Sequence, residues 1–439
     1  MPNKFADWPE EYARKLRTPA EAAGLVQPGD AIVIPVGALT PTIAAAIFAR
    51  GEELREIHVY EMAPAFDPGW FNPGHPAFLM HVEVFSTVVS REALARGRAD
   101  FTSISFGQRF KTEDERSRPV HHADIVLISV SPPDHLGFCS FGLNIWNSRA
   151  FAERARLVFA EVHSSLVRTG GDGRIHVSEI DAFVEAGPLP SGLTSGLRLD
   201  CPPEIAGFIA QLVNDGDTIQ VGTGSLTNGL PLGGAFAGKE DLGVHAELSV
   251  PGMTGLVRQG VITGARKTVN RGKYVAAQLE ASQPGDIEFI QDNPVFELRD
   301  VGYVNDIRVI ASHDNMVAIN NALAIDFTGQ ITAESIGGEL WSGPGGQQDF
   351  AIGALLSKGG RNVTVLRSVA VSGSVSRIVP TLPEGTVITV PRQYADYVVT
   401  EWGIAQLLGR SDRERAEELI SVAHPDHRAG LRQALAKFK

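Results

Sequence analysis

An internal repeat constrains the fold of this 439-residue chain more than any other feature. Residues 26–40 read VQPGDAIVIPVGALT and residues 213–227 read VNDGDTIQVGTGSLT, at a constant offset of 187 residues. A gapless match over a turn, a strand and a glycine-containing loop predicts two related halves. Seven of the fifteen aligned positions are identical: Val26/Val213, Gly29/Gly216, Asp30/Asp217, Ile32/Ile219, Gly37/Gly224, Leu39/Leu226 and Thr40/Thr227.

Each copy has the pattern of a β-loop-α unit. A Gly-Asp turn precedes a β-branched stretch, a glycine-containing loop follows, and PTIAAAIFAR (41–50) in the first copy is helix-like. Units of this kind build mostly parallel α/β sheets. Five further apolar stretches are predicted strands: ADIVLISVS (123–131), RLVFAEV (156–162), IRVIAS (307–312), NVTVLRS (362–368) and TVITV (386–390).

These patterns predict two similar, open, mostly parallel α/β domains. The stretch AGPLPSGLTSGLRLDCPP (186–203) is rich in Gly, Pro and Ser, as domain linkers are. We therefore place an N-terminal domain at 1–190 and a C-terminal domain at 195–439. The end of the chain, from Ser411 onward, is predicted to be helical because apolar residues recur behind a charged start.

Composition and charge exclude several classes of function. The net charge is -12 and no run of Lys and Arg occurs, which argues against nucleic-acid binding. No apolar run approaches the roughly 18–20 residues of a membrane span, and the first residues lack the apolar core of a signal peptide. Cys139 and Cys201 form neither a metal pattern nor a disulfide framework. We expect a soluble, cytoplasmic protein without a membrane partner.

Some motif-like spacings favour structural interpretations. Gly233 and Gly238-Lys239 have the spacing of a phosphate-binding loop, but Glu240 replaces the Ser or Thr that would hold magnesium. No G-x-S-x-G motif of a serine hydrolase occurs. His424 and His427 suit a helix start better than a metal site. We predict no metal ligands.

Three stretches carry candidate chemistry. Glu247, in HAELSVPG (245–252), is a lone carboxylate at the end of a buried-looking strand, where it is costly unless it is paired or used. The alternatives are an exposed carboxylate at a strand end or a partner of a helix N-cap. VGTGSLTNG (221–229) is a Gly-rich turn whose backbone N–H groups a ligand could approach. The alternative is a tight connection between a strand and a helix. SGPGGQQDF (342–350) could supply backbone N–H groups of Gly345 and Gly346 to an oxyanion, or be a flexible loop.

An ordered series of motifs resembles the acetyl-CoA hydrolase/transferase family, and within it the 4-hydroxybutyrate CoA-transferase-like group. The match runs over nearly the whole chain and is densest from about 213 to 430. The motifs are SPPDHLGFCSFG (131–142), RIHVSEID (174–181), DLGVHAE (241–247), GVITGARKT (260–268), NDIRVIASHDNMVAINNALAIDFTGQI (305–331), SGPGGQQDF, SRIVP (376–380), VVTEWGIAQL (398–407) and AHPDHR (423–428).

The resemblance implies two similar domains with an active site in the cleft between them, and a homodimer. It implies that Glu247 is the catalytic nucleophile, with coenzyme A as a substrate and no tightly bound cofactor. The substrates would be an acyl-CoA and a small carboxylate. The implied contacts to coenzyme A are Gly222, Thr223, Gly224, Ser225, Leu226 and Gly343, and we add Lys267 to them. The predicted catalytic residues are Glu247, Gly345 and Gly346.

The implied reaction is covalent transfer of CoA through an acyl-glutamyl anhydride and a glutamyl-CoA thioester. We expect Glu247 to stay ionised at neutral pH, which nearby N–H groups or a cation such as Arg266 or Lys267 could ensure. An acyl-CoA hydrolase using the same glutamate is the alternative. A CoA-binding sensor without activity and a sugar-phosphate isomerase of related fold are two further hypotheses.

Departures from the family pattern lie mostly in the first half. AFDPGWFNPGHPAF (65–78) is rich in aromatic residues, and FTSISFGQRF (101–110) lacks an expected proline. We predict that these loops select the acyl group, with Phe66, Trp70, Phe71 and Phe78 favouring one that is larger or more apolar than acetyl. The alternative is that these aromatic side chains only pack a domain or a dimer interface.

Overall fold

The chain forms two compact units. The computed structural model describes residues 7–116, 122–189, 199–370 and 373–438. The first unit combines 287–303 with the residues before the linker, and the second contains the rest. The predicted domain boundary, between 190 and 195, lies outside the described residues. Residues 287–303 group with the first unit, where Phe296–Leu298 pairs in parallel with Gly170–Gly171.

The first unit is built on a seven-stranded sheet in which all of the pairings are parallel. An apolar core forms between this sheet and helices that include Pro19–Ala23 and Pro41–Phe48. Its strands follow in the order Ala182–Gly187, Leu157–His163, Ile125–Val130, Ala31–Ile34, Ile57–Met62, Phe78–Glu83 and Ala99–Thr102. The unit also contains helices Trp8–Lys15, Arg91–Ala95, Lys111–Glu115 and Ser148–Ala152, the short helical turns Trp70–Gly74, Phe106–Gln108 and Val177–Glu179, and the antiparallel strands Phe138–Ser140 and Arg174–His176.

The second unit has a sheet of the same kind. The pairings among its seven strands named here are parallel, except at one edge where Tyr397–Thr400 and Gly403–Gln406 are antiparallel. From that edge the order is Gly403–Gln406, Tyr397–Thr400, Arg361–Val365, Met316–Asn321, Thr218–Val221, Gly243–Leu248 and Tyr274–Gln278. The helices are Pro203–Leu212, Met253–Arg258, Ile307–Ala311, Gln347–Leu356, Asp412–Ser421 and Pro425–Leu435, and helices Asp286–Ile290 and Val301–Val304 lie where the chain passes between units.

Short strands complete the second unit. Ala324–Asp326 pairs with Ile331–Thr332 and with Ile378–Val379. Ser335–Ile336 and Glu339–Leu340 form one hairpin, and Val369–Ala370 pairs with Val375–Ser376 in another. In sequence, the strands between 324 and 340 follow Met316–Asn321, and those between 369 and 379 follow Arg361–Val365.

The repeated segments occupy equivalent places in the two units. Asp30 accepts the backbone N–H of Gln27 and pairs with Arg156, which precedes a strand two places away in the sheet. Asp217 accepts the N–H of Asn214 and pairs with Arg361, which begins the corresponding strand of the second unit. The predicted duplication is therefore confirmed, down to the Asp–Arg pair that fixes each turn.

The predicted mostly parallel α/β class is confirmed, and some elements are corrected. The apolar stretches at 123–131, 156–162 and 362–368 contain strands as predicted. IRVIAS (307–312) is instead a helix, and TVITV (386–390) has only an isolated bridge at Val390. The second repeat also continues into a 3-10 turn at Thr227–Gly229 and not into an α-helix. Ser411 caps helix Asp412–Ser421 at its N-terminus. His424 caps helix Pro425–Leu435, as predicted from its place at a helix start.

Candidate active site

Glu247 lies near the carboxyl end of strand Gly243–Leu248 and is almost completely buried. The neighbouring strand Thr218–Val221 leads into the Gly loop 222–226, and both strands are parallel, so the two features share one edge of the sheet. Thr218–Val221 is also where the strand order reverses, since later strands continue on its other side. Ligands of open α/β sheets bind at such switch points.

Asn305 holds the carboxylate of Glu247. Its amide Nδ2 donates a 2.6 Å hydrogen bond to Oε2 of Glu247, and the amide also hydrogen-bonds to Asp349. Asp349 is buried, and its Oδ2 atom has no hydrogen-bond partner among the described residues. The site therefore contains two buried carboxyl groups joined through one amide.

His245 explains the His-x-Glu spacing of the strand. Residues two apart on a strand point to the same face, so His245 and Glu247 share a face. Nε2 of His245 donates a 2.8 Å hydrogen bond to the carbonyl of Val304. His245 thus anchors the backbone immediately before Asn305, while Glu247 binds the Asn305 side chain.

The SGPGGQQDF loop brings a helix N-terminus to Glu247. Gly345 has a φ of +52°, a left-handed conformation that suits glycine. Gly346 caps helix Gln347–Leu356, and its backbone hydrogen-bonds to the Glu247 carboxylate. A Cβ atom on Gly346 would overlap Oε2 of Glu247 and Nδ2 of Asn305. This close approach gives Gly346 a position next to the carboxylate that only glycine can occupy.

Burial sets the electrostatics of the site. Burial, with a smaller contribution from nearby Asp349, raises the pKa of Glu247 to about 7 against the hydrogen bonds from Asn305 and Gly346. Burial raises the pKa of Asp349 to about 7 as well. The pKa of His245 is held well below its usual value by burial, with contributions from His313 and Lys267. The expectation that N–H groups or a cation keep Glu247 ionised at neutral pH does not hold, because desolvation outweighs its donors and raises its pKa to about 7.

The Gly loop is internally braced. The backbone N–H of Gly222 binds the carbonyl of Ile319, and that of Gly224 binds Oδ1 of Asn228. A Cβ atom at either glycine would overlap the side chain of Asn320 or Asn321, which end the adjacent strand. Leu226 is buried, whereas Thr223 and Ser225 are exposed at the loop surface. Packing therefore requires glycine at positions 222 and 224. Thr223 and Ser225 are the exposed side chains of this loop.

Two predicted cations are not placed at Glu247. The ammonium of Lys267 is buried and donates to the carbonyls of Val244 (2.7 Å) and Lys273 (2.9 Å). Arg266 forms an ion pair with Asp241, 3.1 Å away. The structure joins Glu247 to Asn305 and Gly346 instead. Gly343 is buried in the loop before Gly345.

Aromatic residues of the 65–78 loop lie in the core of the first unit. Trp70, Phe71 and Phe78 are buried in one apolar cluster, and Phe66 packs against it from a partly buried position. This arrangement supports the packing alternative for these side chains.

Asn305 and Asp349 are functional candidates that the sequence did not single out. Each lies inside a quoted motif, at the start of NDIRVIAS and near the end of SGPGGQQDF. For Asp349 the sequence offered a signal, because an acid lies three residues after Gly346. For Asn305 it offered none, because Glu247 is 58 residues away in the chain.

The described ranges contain no group of three or more His, Cys, Asp or Glu side chains that could hold a metal ion. Within the same ranges, no helix is both long enough and apolar enough to cross a membrane.

Family models match both ends of the chain. The N-terminal domain of acetyl-CoA hydrolase/transferase matches residues 3–190, and the C-terminal domain of acetyl-CoA hydrolase/transferase matches residues 287–435. Glu247 and the Gly loop lie between these two matches.

Named relatives and solved structures match over nearly the full length. The 4-hydroxybutyrate coenzyme A transferase of Clostridium kluyveri is 36% identical over 432 residues, covering 98% of this chain and 99% of that protein. The succinyl-CoA:cyclohexane-1-carboxylate CoA transferase of Geobacter metallireducens is 35% identical, covering 99% of this chain and 98% of that protein. The crystal structure of RipA from Yersinia pestis superposes with a TM-score of 0.88 at 33% identity, covering 98% of this chain and 99% of that one.

Proposed function

The chain belongs to the acetyl-CoA hydrolase/transferase family, and we propose that it transfers coenzyme A between an acyl-CoA and a free carboxylate with Glu247 as the covalent nucleophile. The observation that carries this proposal is the buried Glu247 carboxylate, held by the Asn305 amide and the Gly346 backbone. A carboxylate with these partners has a defined direction of attack and donors for the charge that develops on it.

The first step forms an anhydride. A carboxylate oxygen of Glu247 attacks the thioester carbonyl carbon, and the carbon–sulfur bond breaks to release CoA thiolate. The product is a mixed anhydride of the acyl group and Glu247. Because an anhydride hydrolyses readily, transfer requires that water be excluded from the site.

The second step forms the glutamyl-CoA thioester. The thiolate attacks the Glu247 carbonyl carbon, negative charge builds on the carbonyl oxygen, and the first carboxylic acid leaves as its carboxylate. Nδ2 of Asn305 and the backbone of Gly346 already contact this carboxyl group, so they are placed to stabilise that oxyanion. A second carboxylate then reverses both steps and leaves as the new acyl-CoA, which gives ping-pong kinetics.

The substrates are proposed to be small carboxylic acids and their CoA thioesters. The relatives are named for 4-hydroxybutyrate and for cyclohexane-1-carboxylate. Coenzyme A is a substrate here and not a resident cofactor. The cytoplasm and a homodimer are the proposed location and assembly, and light scattering of the purified protein tests the latter.

The test is to trap the intermediate. The enzyme is incubated with acyl-CoA without an acceptor, reduced with borohydride and mapped by mass spectrometry. The reduced residue should be Glu247, and Glu247→Gln should give no product. Glu334→Gln, which changes another buried glutamate hydrogen-bonded to Thr389, serves as the matched control and should still be labelled at Glu247. A label at another residue overturns the assignment.

Initial rates separate transfer from hydrolysis. CoA transfer requires that acyl-CoA consumption depend on the acceptor acid and that a new acyl-CoA appear. Equal rates with and without acceptor, with release of free CoA, would identify an acyl-CoA hydrolase using the same glutamate.

A further inference from the structure

Gln347 connects the helix that faces Glu247 to the strand beside the Gly loop. It is the first residue of helix Gln347–Leu356 and directly follows Gly346, whose backbone hydrogen-bonds to the Glu247 carboxylate. Its side-chain Nε2 donates a 3.0 Å hydrogen bond to the backbone carbonyl of Asn321, 26 residues earlier in the chain. The amide of one side chain therefore ties the N-terminus of this helix to the sheet.

Asn321 extends this connection to the Gly loop. It ends its strand, and the register with Thr218–Val221 places it beside the first residues of the loop. Its side-chain Nδ2 donates to the carbonyl of Thr223 at 3.2 Å and to the hydroxyl oxygen of Thr227. One residue thus binds the helix through its backbone and the Gly loop through its side chain.

The segment before the helix needs such a tie because glycine dominates it. Gly343, Gly345 and Gly346 have no side chains that could pack against a neighbour, and Gly345 has a φ of +52°. Glycine has more conformational freedom to lose than any other residue. Backbone donors stabilise an oxyanion best when they are already in place before the charge develops. Because Gln347 is covalently joined to Gly346, the hydrogen bond that fixes its side chain also restrains this backbone donor.

The next residue of the helix provides a natural comparison. Gln348 carries the same amide in the same helical turn, but it is exposed, whereas Gln347 is half-buried. Consecutive residues of an α-helix point roughly 100° apart, so the two amides have different surroundings. A change at Gln348 therefore removes the same chemical group and leaves the hydrogen bond to Asn321 in place.

We propose that Gln347 is a positioning residue for CoA transfer, which keeps the Gly346 donor against Glu247 by binding the end of a neighbouring strand. Through Asn321, the same hydrogen bond keeps this donor in fixed register with the Gly loop. The role rests on the proposed function, because it takes Glu247 as the nucleophile and Gly346 as a donor to the oxyanion. Gln347 itself neither forms nor breaks a bond in the reaction.

Steady-state kinetics provide the first test. Gln347→Met keeps the length of the side chain and removes the donor, so kcat should fall about five- to tenfold, the usual effect of one hydrogen bond, while KM for the acyl-CoA changes much less. Gln347→Lys, whose ammonium can reach the same carbonyl, should recover most of the loss. Gln348→Met is the matched control and should keep the wild-type kcat. A wild-type kcat in folded Gln347→Met would overturn the proposal.

The pH profile separates positioning from a general loss of stability. The hydrogen bond from Gly346 lowers the pKa of Glu247, which is about 7, so a displaced Gly346 should move the rise of kcat/KM to higher pH. The charged neighbours, Asp349 and beyond it Asp306, stay in place in the variant. His245, on the same strand, is neutral in this range because burial holds its pKa well below its usual value. A variant profile that coincides with that of the wild type would contradict the proposal.

Hydrogen exchange tests the restraint without any substrate. In Gln347→Met the backbone amides of 343–350 should exchange faster than in the wild type, and in Gln348→Met they should not. If Gln347→Met does not fold, Gln347→Glu, which has the same shape without the donor, is measured in its place. Unchanged exchange in the folded variant would overturn the proposal. If the wild type forms no glutamyl thioester with any donor, the proposed function fails, whereas exchange still decides whether Gln347 restrains the segment.

Discussion

Asn305 donates a 2.6 Å hydrogen bond to Oε2 of Glu247 from a position 58 residues further along the chain. His245 secures the preceding carbonyl, of Val304, from the same strand face as Glu247. The direction of the Glu247 carboxylate is therefore set by a residue outside the strand that carries it. The His-x-Glu motif is explained as a clamp on the segment that presents Asn305.

Asn305→Ala should lower kcat by about 10²–10³, because one preorganised donor to the developing oxyanion is lost. KM for the acyl-CoA should change much less than kcat. Steady-state rates and the yield of trapped glutamyl thioester check this expectation. Asn214→Ala, at an exposed turn position, is the control and should retain wild-type rates. A folded Asn305→Ala variant with near-normal kcat would remove Asn305 from the catalytic site.

Activity should rise with pH through about 7. The carboxylate form of Glu247 is the nucleophile, and its pKa is raised to about 7 by burial and by Asp349. Asp349→Asn removes the neighbouring negative charge, so the rise in kcat/KM should move to lower pH. The measurement is the pH profile of kcat/KM for wild type, Asp349→Asn and the control Asp314→Asn. A profile for Asp349→Asn that coincides with that of wild type would contradict the coupling.

Glu247→Gln should stabilise the protein at pH 8 while abolishing transfer. The pKa of Glu247 is raised from 4.5 to about 7, so between these values the folded chain keeps a proton that the unfolded chain has released. Stability then decreases as pH rises through this window, and the neutral glutamine avoids the loss. The gain in unfolding free energy at pH 8 should be about 3 kcal/mol, since the pKa difference of about 2.5 units corresponds to about 1.4 kcal/mol per unit.

Thermal unfolding at pH 5 and pH 8 tests this sign. The difference in Tm between Glu247→Gln and wild type should be larger at pH 8 than at pH 5. Glu334→Gln controls for the loss of a buried glutamate elsewhere in the unit. If the difference in Tm at pH 8 is equal to or smaller than that at pH 5, burial does not raise the pKa of Glu247, and the prediction fails.

Gly346→Ala should impair catalysis more than any change at a neighbouring open glycine. A Cβ atom at this position overlaps the Glu247 and Asn305 side chains, so the nucleophile must shift. A displacement of about 1 Å near the reacting atoms is expected to cost about 10²-fold in rate. Gly338→Ala is the matched control, since nothing lies within 4 Å of the added Cβ. Equal rates in the two variants would place the loop away from the reaction.

Much of the sheet was predictable because its strands are apolar and bounded by turns. The repeat also identified one interior strand of each unit's sheet, Ala31–Ile34 and Thr218–Val221, before any tertiary information. The prediction of a strand at IRVIAS (307–312) was wrong, because a short apolar run is compatible with a buried strand or with a buried helix. The overlooked signal was Asp306, whose side chain accepts the N–H of Arg308 and caps the helix.

The site was predictable only where its chemistry is local. Glu247 and Gly346 stood out because a lone buried carboxylate and a glycine cluster have few structural explanations. Asn305 did not, because its role comes from the packing that brings residue 305 to residue 247. The ionisation of Glu247 was misjudged for a similar reason: desolvation depends on everything that surrounds the carboxylate, whereas sequence shows only nearby charges.

Trp70→Ala should act on stability and not on the choice of acyl group. Trp70 is 2% exposed and belongs to the apolar core of the first unit together with Phe71 and Phe78. Removing a buried tryptophan side chain should cost about 3–5 kcal/mol, whereas Val88→Ala, at an 82% exposed position, should cost little. The measurement is kcat/KM over a ladder of acyl-CoA chain lengths, at a temperature where both variants remain folded. A core role predicts that the relative kcat/KM values stay the same along the ladder. A selective loss for long chains in folded Trp70→Ala would instead return the 65–78 loop to the acyl pocket.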